Sequence, residues 1–258
     1  MGQSFGAATR EKSAGHFAKN GVLYDSVLGF RYNVGWQGDS IFIRESRFSE
    51  DNGANKGLST YEMEIPHLRK QRIDFIVGSG QHTNSHVFSE NGYLFQAPFT
   101  VYTQSGKLDL PPGFEGGKNA RFDRIIGLEC MSCHNAMPTG FVAGSENKFE
   151  KIPQGIDCER CHGPGSLHVA KIQRGKITDT ATAIDYSIVN PKKLSSDLQF
   201  QICQRCHLQG NAVLAQGKSF FDFKPGMHLD SVMDVYLPRY ENSDEQFIMA
   251  SHVDRFKL

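Results

Sequence analysis

Three five-residue stretches share one pattern: Cys130-Met131-Ser132-Cys133-His134, Cys158-Glu159-Arg160-Cys161-His162 and Cys203-Gln204-Arg205-Cys206-His207. They hold all six cysteines of the chain. Cysteines three residues apart lie on one side of a helical turn. Their sulfurs can reach the two vinyl-derived carbons on neighbouring pyrroles of a macrocycle. The histidine that follows then offers its imidazole to the central iron. C-x-x-C-H is the attachment signature for c-type haem. The expectation is three covalently bound haems c, held by Cys130, Cys133, Cys158, Cys161, Cys203 and Cys206, with His134, His162 and His207 as proximal iron ligands.

Two other uses of paired cysteines fit less well. Zinc sites are built from C-x-x-C pairs, but zinc pairs seldom all carry an adjacent His, and three pairs do not divide naturally into tetrahedral sites. A thioredoxin-like motif would need one C-x-x-C after a strand in a βαβ unit. No cysteine is left over for a disulfide or a lone nucleophile.

Sixth ligands must come from elsewhere, and seven histidines lie outside the motifs. His168 follows the sharp Gly163-Pro164-Gly165 turn by one short helical turn, so it emerges away from its own haem. Ligation of a neighbouring haem is preferred over a solvent-facing helix histidine. His82 and His86 stand four apart after Gly78-Ser79-Gly80 and would face one way on a helix. At least one is read as a ligand, His82 preferred because it abuts the glycine turn. His252 lies near the end and is read as serving a haem. His16 stays open between ligand and surface, as does His228, while His67, after Pro66, reads as a surface residue. Met131, Met137, Met227 and Met249 are alternative ligands. Arg121, Arg124, Arg160 and Arg205 cluster near the motifs. They suit haem propionates, through the planar fork that pairs with carboxylates, or else solvent.

The elements that must position these groups fall into two parts. Residues 1–101 read as a β-rich scaffold. Phe30, Tyr32, Val34 and Trp36 alternate at strand period, Gln37-Gly38-Asp39-Ser40 is a turn, and Ile41-Phe42-Ile43 resumes a strand. Residues 49–60 read as a surface loop. Ile73–Val77 is a short apolar run. Tyr93, Phe95, Ala97, Phe99 and Val101 alternate again, and Pro98 demotes that run to an edge strand or a bulge. Residues 102–258 read as the three-haem region, with a Pro- and Gly-rich loop, a helix over Arg121–Ile126, and then short helices and loops punctuated by prolines. The fold class expected is α+β: a small antiparallel β-rich N-terminal part packed on an irregular, short-helix multihaem region.

Bulk properties narrow the function. Lysine plus arginine and aspartate plus glutamate number 28 each. No basic run suggests nucleic acid, and no apolar run approaches a transmembrane helix. Haem joins such cysteines after export, yet Met1-Gly2-Gln3-Ser4-Phe5-Gly6-Ala7 lacks the basic and apolar regions of a signal peptide. The chain also stops in mid-pattern at Arg255-Phe256-Lys257-Leu258. It is therefore expected to be an internal piece of a longer exported protein, truncated at both ends.

Several stretches also resemble a known family. Gly78-Ser79-Gly80-Gln81-His82, Cys130–His134 with Asn135, Cys158–His168 and Pro225-Gly226-Met227 are similar to multihaem c-type cytochromes of the cytochrome c-554 type, relatives of hydroxylamine oxidoreductase and multihaem nitrite reductases. The resemblance implies closely packed haem pairs and export to the periplasm or beyond the cell. It implies His168 as axial ligand to another haem, His82 and His252 as further ligands, and additional motifs past both ends. The function expected is electron transfer between redox partner proteins through closely spaced bis-histidine haems. A quinol-linked membrane complex or a terminal reductase is a candidate partner. The preferred reading is a carrier and not an enzyme. The alternatives are a multihaem oxidoreductase acting on a small nitrogen or sulfur compound at an open haem, and a zinc-binding interaction protein.

Overall fold

The computed structural model describes residues 5–9, 21–47, 68–207, 210–236 and 241–242. His16, His67, His252, Met249 and the expected loop at 49–60 lie outside the described residues. The chain divides into two compact units. The first comprises residues 1–127 and 138–155, the second 128–137 and 156–258.

The first unit is built from two antiparallel sheets. One has the order β2-β3-β4-β5, from β2 (Gly21–Asp25), β3 (Phe30–Gln37), β4 (Ser40–Arg47) and β5 (Leu68–Ile73). The other has the order β1-β6-β7-β8-β9, from β1 (Phe5–Ala7), β6 (Phe75–Val77), β7 (Thr83–Glu90), β8 (Tyr93–Tyr102) and β9 (Lys107–Asp109). Alternation explains the first sheet: Phe30, Tyr32 and Val34 of β3 and Ile41 and Ile43 of β4 are buried. Gln37 pairs with Ser40, and Gly38, at φ 60°, supplies the left-handed residue that a two-residue hairpin turn needs. These side chains share one apolar core with Phe88, Ala97, Phe99 and Val101 of the second sheet and with Leu110, Phe114 and Phe122 of the loop that follows. Each such side chain contributes roughly 1.5–3 kcal/mol when fully buried.

Two local readings need correction, and the bulge expected at Pro98 is present. His82 and His86 are not on a helix; residues 83–90 form β7. Pro98 does mark a bulge, but not a whole edge strand. Ser85 pairs with Thr100 and Val87 with Gln96, so residues 97–99 of β8 stand opposite His86 alone. Pro98 needs no ladder bond there. Residues 121–126 are not helical either: Gln96 N donates to Arg124 O and Ile126 N to Leu94 O, which lays the segment along β8. Strand propensity in Ile125-Ile126 and a free stretch of β8 win over the charged, helix-like pattern.

The second unit has short helices: α1 (Leu128–His134), α2 (Glu159–His162), α3 (Ser166–Gln173) and α4 (Ser196–Gln204). The hairpin of β10 (Asn211–Leu214) and β11 (Met233–Tyr236) was not foreseen in the sequence. A small apolar cluster of Phe223, Leu229, Val232 and Met233 sits with it. Helix α3 buries none of its residues, and Leu167 and Val169 on it are exposed, as are Ile177, Ile184 and Tyr186 after it. Among the described residues no helix is long and apolar enough to cross a membrane.

Candidate functional site

The three C-x-x-C-H stretches all lie in the second unit, each on one helical turn. In the second and third, the histidine N–H donates to the carbonyl of the first cysteine at 2.9 Å, and the second cysteine N–H reaches the same carbonyl at 3.2 Å. This is a helical turn tightened at its end. The turn gives all three motifs one pattern of exposure. The first cysteine is exposed, the residue before the second cysteine is buried, the second cysteine is half-buried, and the histidine is exposed. The first cysteine and the histidine thus lie on the outward side of each turn, while Ser132, Arg160 and Arg205 point inward.

Those inward residues meet. An Nη2 hydrogen of Arg160 is donated to the Ser132 carbonyl. The Cys133 thiol lies 3.7 Å from the Arg205 carbonyl, and the Cys206 sulfur 4.0 Å from the Ser132 carbonyl. Arg160 lies over the ring of Phe221 at 4.7 Å and Arg205 over that of Phe223 at 5.8 Å. Burial, then the like charge of Arg205, pull Arg160 down from its ordinary value to about 10. The Cys133 and Cys206 thiols touch: their hydrogen bond pushes Cys133 up and draws Cys206 down, with Arg205 adding to the second effect. The solvent-facing reading of Arg160 and Arg205 is therefore overturned. Arg121 has a protein partner, a two-pronged contact to buried Glu45 in the first unit, and Arg124 donates to the Pro112 carbonyl.

The histidines divide by unit. His162 directs Nδ1 to the Val189 carbonyl at 2.9 Å. A carbonyl only accepts, so Nδ1 carries the proton and Nε2 keeps its lone pair, the arrangement of a ring set to ligate a metal. Gly163, at φ 75°, turns the chain just after it, and the Gly165 N–H is capped by Glu159 Oε1 at 2.8 Å. His168 is half-buried on α3 and directs Nδ1 to Ser187 Oγ at 3.1 Å and Asp185 Oδ2 at 3.3 Å. Hydrogen bonds from Ser187 and Lys171 hold the Asp185 carboxyl below the usual carboxylate range. His168, Cys158, Gly163 and Val169 line a cavity of about 600 Å³. His228 sets Nδ1 3.2 Å from Gln201 Nε2, and Met131 is fully buried with its sulfur near Asn135 Nδ2.

In the first unit His82 is exposed before β7, its Nδ1 3.4 Å from Gln104 Nε2. Gly78 shapes that turn: a Cβ there would stand 2.2 Å from the Thr83 carbonyl. His86 is wholly buried and stacked on Phe99 at 4.0 Å. Burial lowers its pKa to about 3, partly opposed by a backbone hydrogen bond with Phe99.

Asp185, Ser187 and the Val189 carbonyl were not singled out in the sequence. They lie about 20 residues beyond the groups they orient, in a stretch without motif or periodicity. The donor set suits a haem: cysteine pairs with the first sulfur exposed, adjacent histidines with Nε2 available in His162, and apolar Val169 exposed at the His168 cavity. Among the described residues no group of three or more His, Cys, Asp or Glu is placed to hold a bare metal ion, so the zinc reading gains no support.

Residues 117–163 match the family model described as cytochrome c554 and c-prime. That stretch takes in the first two motifs and ends at Gly163. No curated protein and no solved structure matches the chain.

Proposed function

We propose that the chain is a multihaem c-type cytochrome that transfers electrons between redox proteins and carries three haems within these residues, a reading supported by the match of residues 117–163 to the cytochrome c554 and c-prime model. One observation carries the reading: three motifs share one exposure pattern, with the first cysteine and the histidine outward, while their inward residues meet. Turns that meet in this way bring the three attachment sites together in one unit, which suits a relay between haems.

Cys130, Cys133, Cys158, Cys161, Cys203 and Cys206 form the thioethers, and His134, His162 and His207 ligate from the proximal side. His168, fixed through Nδ1, is the best-supported distal ligand. His82, exposed after a rigid turn, is a second, and His16 and His252 complete the candidates. His86 drops out, because its ring is packed inside a β core against Phe99. The bound group supplies the one-electron chemistry; the chain supplies its anchors, axial nitrogens and apolar surroundings. The protein is of α+β class, with the two larger β sheets in one unit and the haems in the other. It functions outside the cytoplasm, in the periplasm or beyond the cell, because haem joins these cysteines after export. It passes electrons between redox proteins through bis-histidine haems.

The chain matured by an exporting, haem-attaching host tests this. Intact mass and the pyridine haemochrome spectrum should both give three haems, and the Cys158→Ala/Cys161→Ala double variant should give two. Two or fewer in the parent overturns the count. A colourless zinc protein overturns the reading as a whole.

A further inference from the structure

His168 is gripped from behind by a small charged network. Its Nδ1 faces Ser187 Oγ at 3.1 Å and Asp185 Oδ2 at 3.3 Å. The Ser187 hydroxyl donates to Asp185 Oδ1 at 2.5 Å, so its proton is committed there and its lone pair is left to accept. Both groups facing Nδ1 are then acceptors, and the proton of the neutral ring belongs on Nδ1. Nε2 then keeps its lone pair, on a side chain that lines the cavity. Lys171, one turn along the same helix, donates to Asp185 Oδ1 at 2.9 Å, as does the Ser187 N–H. The Asp185 side chain is only 8 % exposed. Its charge is shared between two claimants: Lys171 and Ser187 on Oδ1, and the imidazole on Oδ2.

We propose that Asp185 is a positioning residue that sets the reduction potential of the haem ligated by His168, with Lys171 as its counterweight. The inference rests on His168 being an iron ligand, the reading given above. A carboxylate that accepts the outer N–H of a ligating imidazole raises the basicity of the ring. A more basic ligand favours ferric over ferrous iron, and second-shell hydrogen bonding is a main control of haem potential. Asp185 lowers the potential of this haem. Lys171 draws electron density off the same carboxylate and moderates the effect. The segment that returns beside α3 thus carries an electrostatic setting for a ligand that stands on α3.

The test uses the full haem-loaded chain and two readouts, spectropotentiometric titration and low-temperature electron paramagnetic resonance. His168→Ala comes first and should convert one haem to high spin. If every haem stays low-spin, the ligand reading fails and this inference falls with it. Given that conversion, Asp185→Asn should raise one midpoint potential by about 59 mV, a tenfold change in the ferric-to-ferrous ratio of a one-electron couple. It should leave the haem count at three and shift one low-spin signal. Asp185→Glu should restore most of the parent value. Lys171→Met should move the same midpoint the opposite way, downward, a sign reversal that loosened packing would not produce. If Asp185→Asn does not load haem, Lys171→Met alone decides by the direction of its shift. Unchanged midpoints in both variants, or shifts of the same sign, overturn the proposal while leaving His168 a ligand.

Discussion

The two units solve the burial problem differently. In the first, strands β3, β4, β7 and β8 place Tyr32, Ile41, Ile43, Phe88 and Phe99 at or near zero exposure in one shared core. Residues there that stay outside, such as Val22 and Tyr24, stand singly on the outer face of β2. In the second, the apolar cluster belongs to the segment around β11, and α3 buries nothing although Leu167, Val169 and Ile172 lie on it. Of these, Val169 also lines the His168 cavity. In the proposed reading, a haem macrocycle would supply the interior that the short helices of the second unit lack.

The largest break of this contrast comes from withholding haem. In the chain expressed without haem attachment, amides of β3, β4, β7 and β8 should stay protected from hydrogen exchange, while those of α1 to α4 should exchange like open chain. Equal protection in α3 and α4 with and without haem would remove the distinction. A smaller effect probes the other side. Phe88→Ala, deleting a ring packed on Phe95 and Phe122, should cost about 3–5 kcal/mol of the first unit's stability in urea. The haem spectrum should not change. The smallest effect is a pH slope. His86 binds its proton at about 3 when folded, against 6.5 as an ordinary histidine. The unfolded chain therefore takes up a proton first as the pH falls. The first unit should lose at most about 1.4 kcal/mol per pH unit between 6.5 and 3, and nothing from this group above 6.5. His86→Phe, which keeps a flat ring against Phe99, should flatten that slope and leave all haem spectra unchanged; a high-spin haem in this variant would restore His86 to the ligands.

What the sequence made legible follows from which interactions are local. The C-x-x-C-H turns are local: spacing alone puts sulfurs and imidazole on one side, and α1, α2 and α4 carry them so. The hairpin at Gly38 and the alternation of β3 are local as well. The bulge at Pro98 was half legible, since proline excludes a ladder bond but does not say which neighbour fills the gap. His86 was misplaced because a four-residue spacing suits a helix face and also a bulged strand. Asp185, Ser187 and Val189 were invisible, because what they do depends on a chain reversal that no pattern of residues announces. The unit boundaries show the same limit. The last alternating run ends at Val101, yet β9, the loop to Gly127 and residues 138–155 go with the sheets, held by pairings such as Phe149 N to Gly92 O.

The inward meeting of Ser132, Arg160 and Arg205 has a consequence for how this chain tolerates change. The pattern C-x-x-C-H writes two positions as free letters, but the second of them is an interior position in each of the three turns. A library randomised over both should keep many residues at Glu159 and few at Arg160, and should treat Gln204 and Arg205 the same way. Selection on this molecule therefore acts on four of the five positions in each turn, and the three turns cannot drift independently.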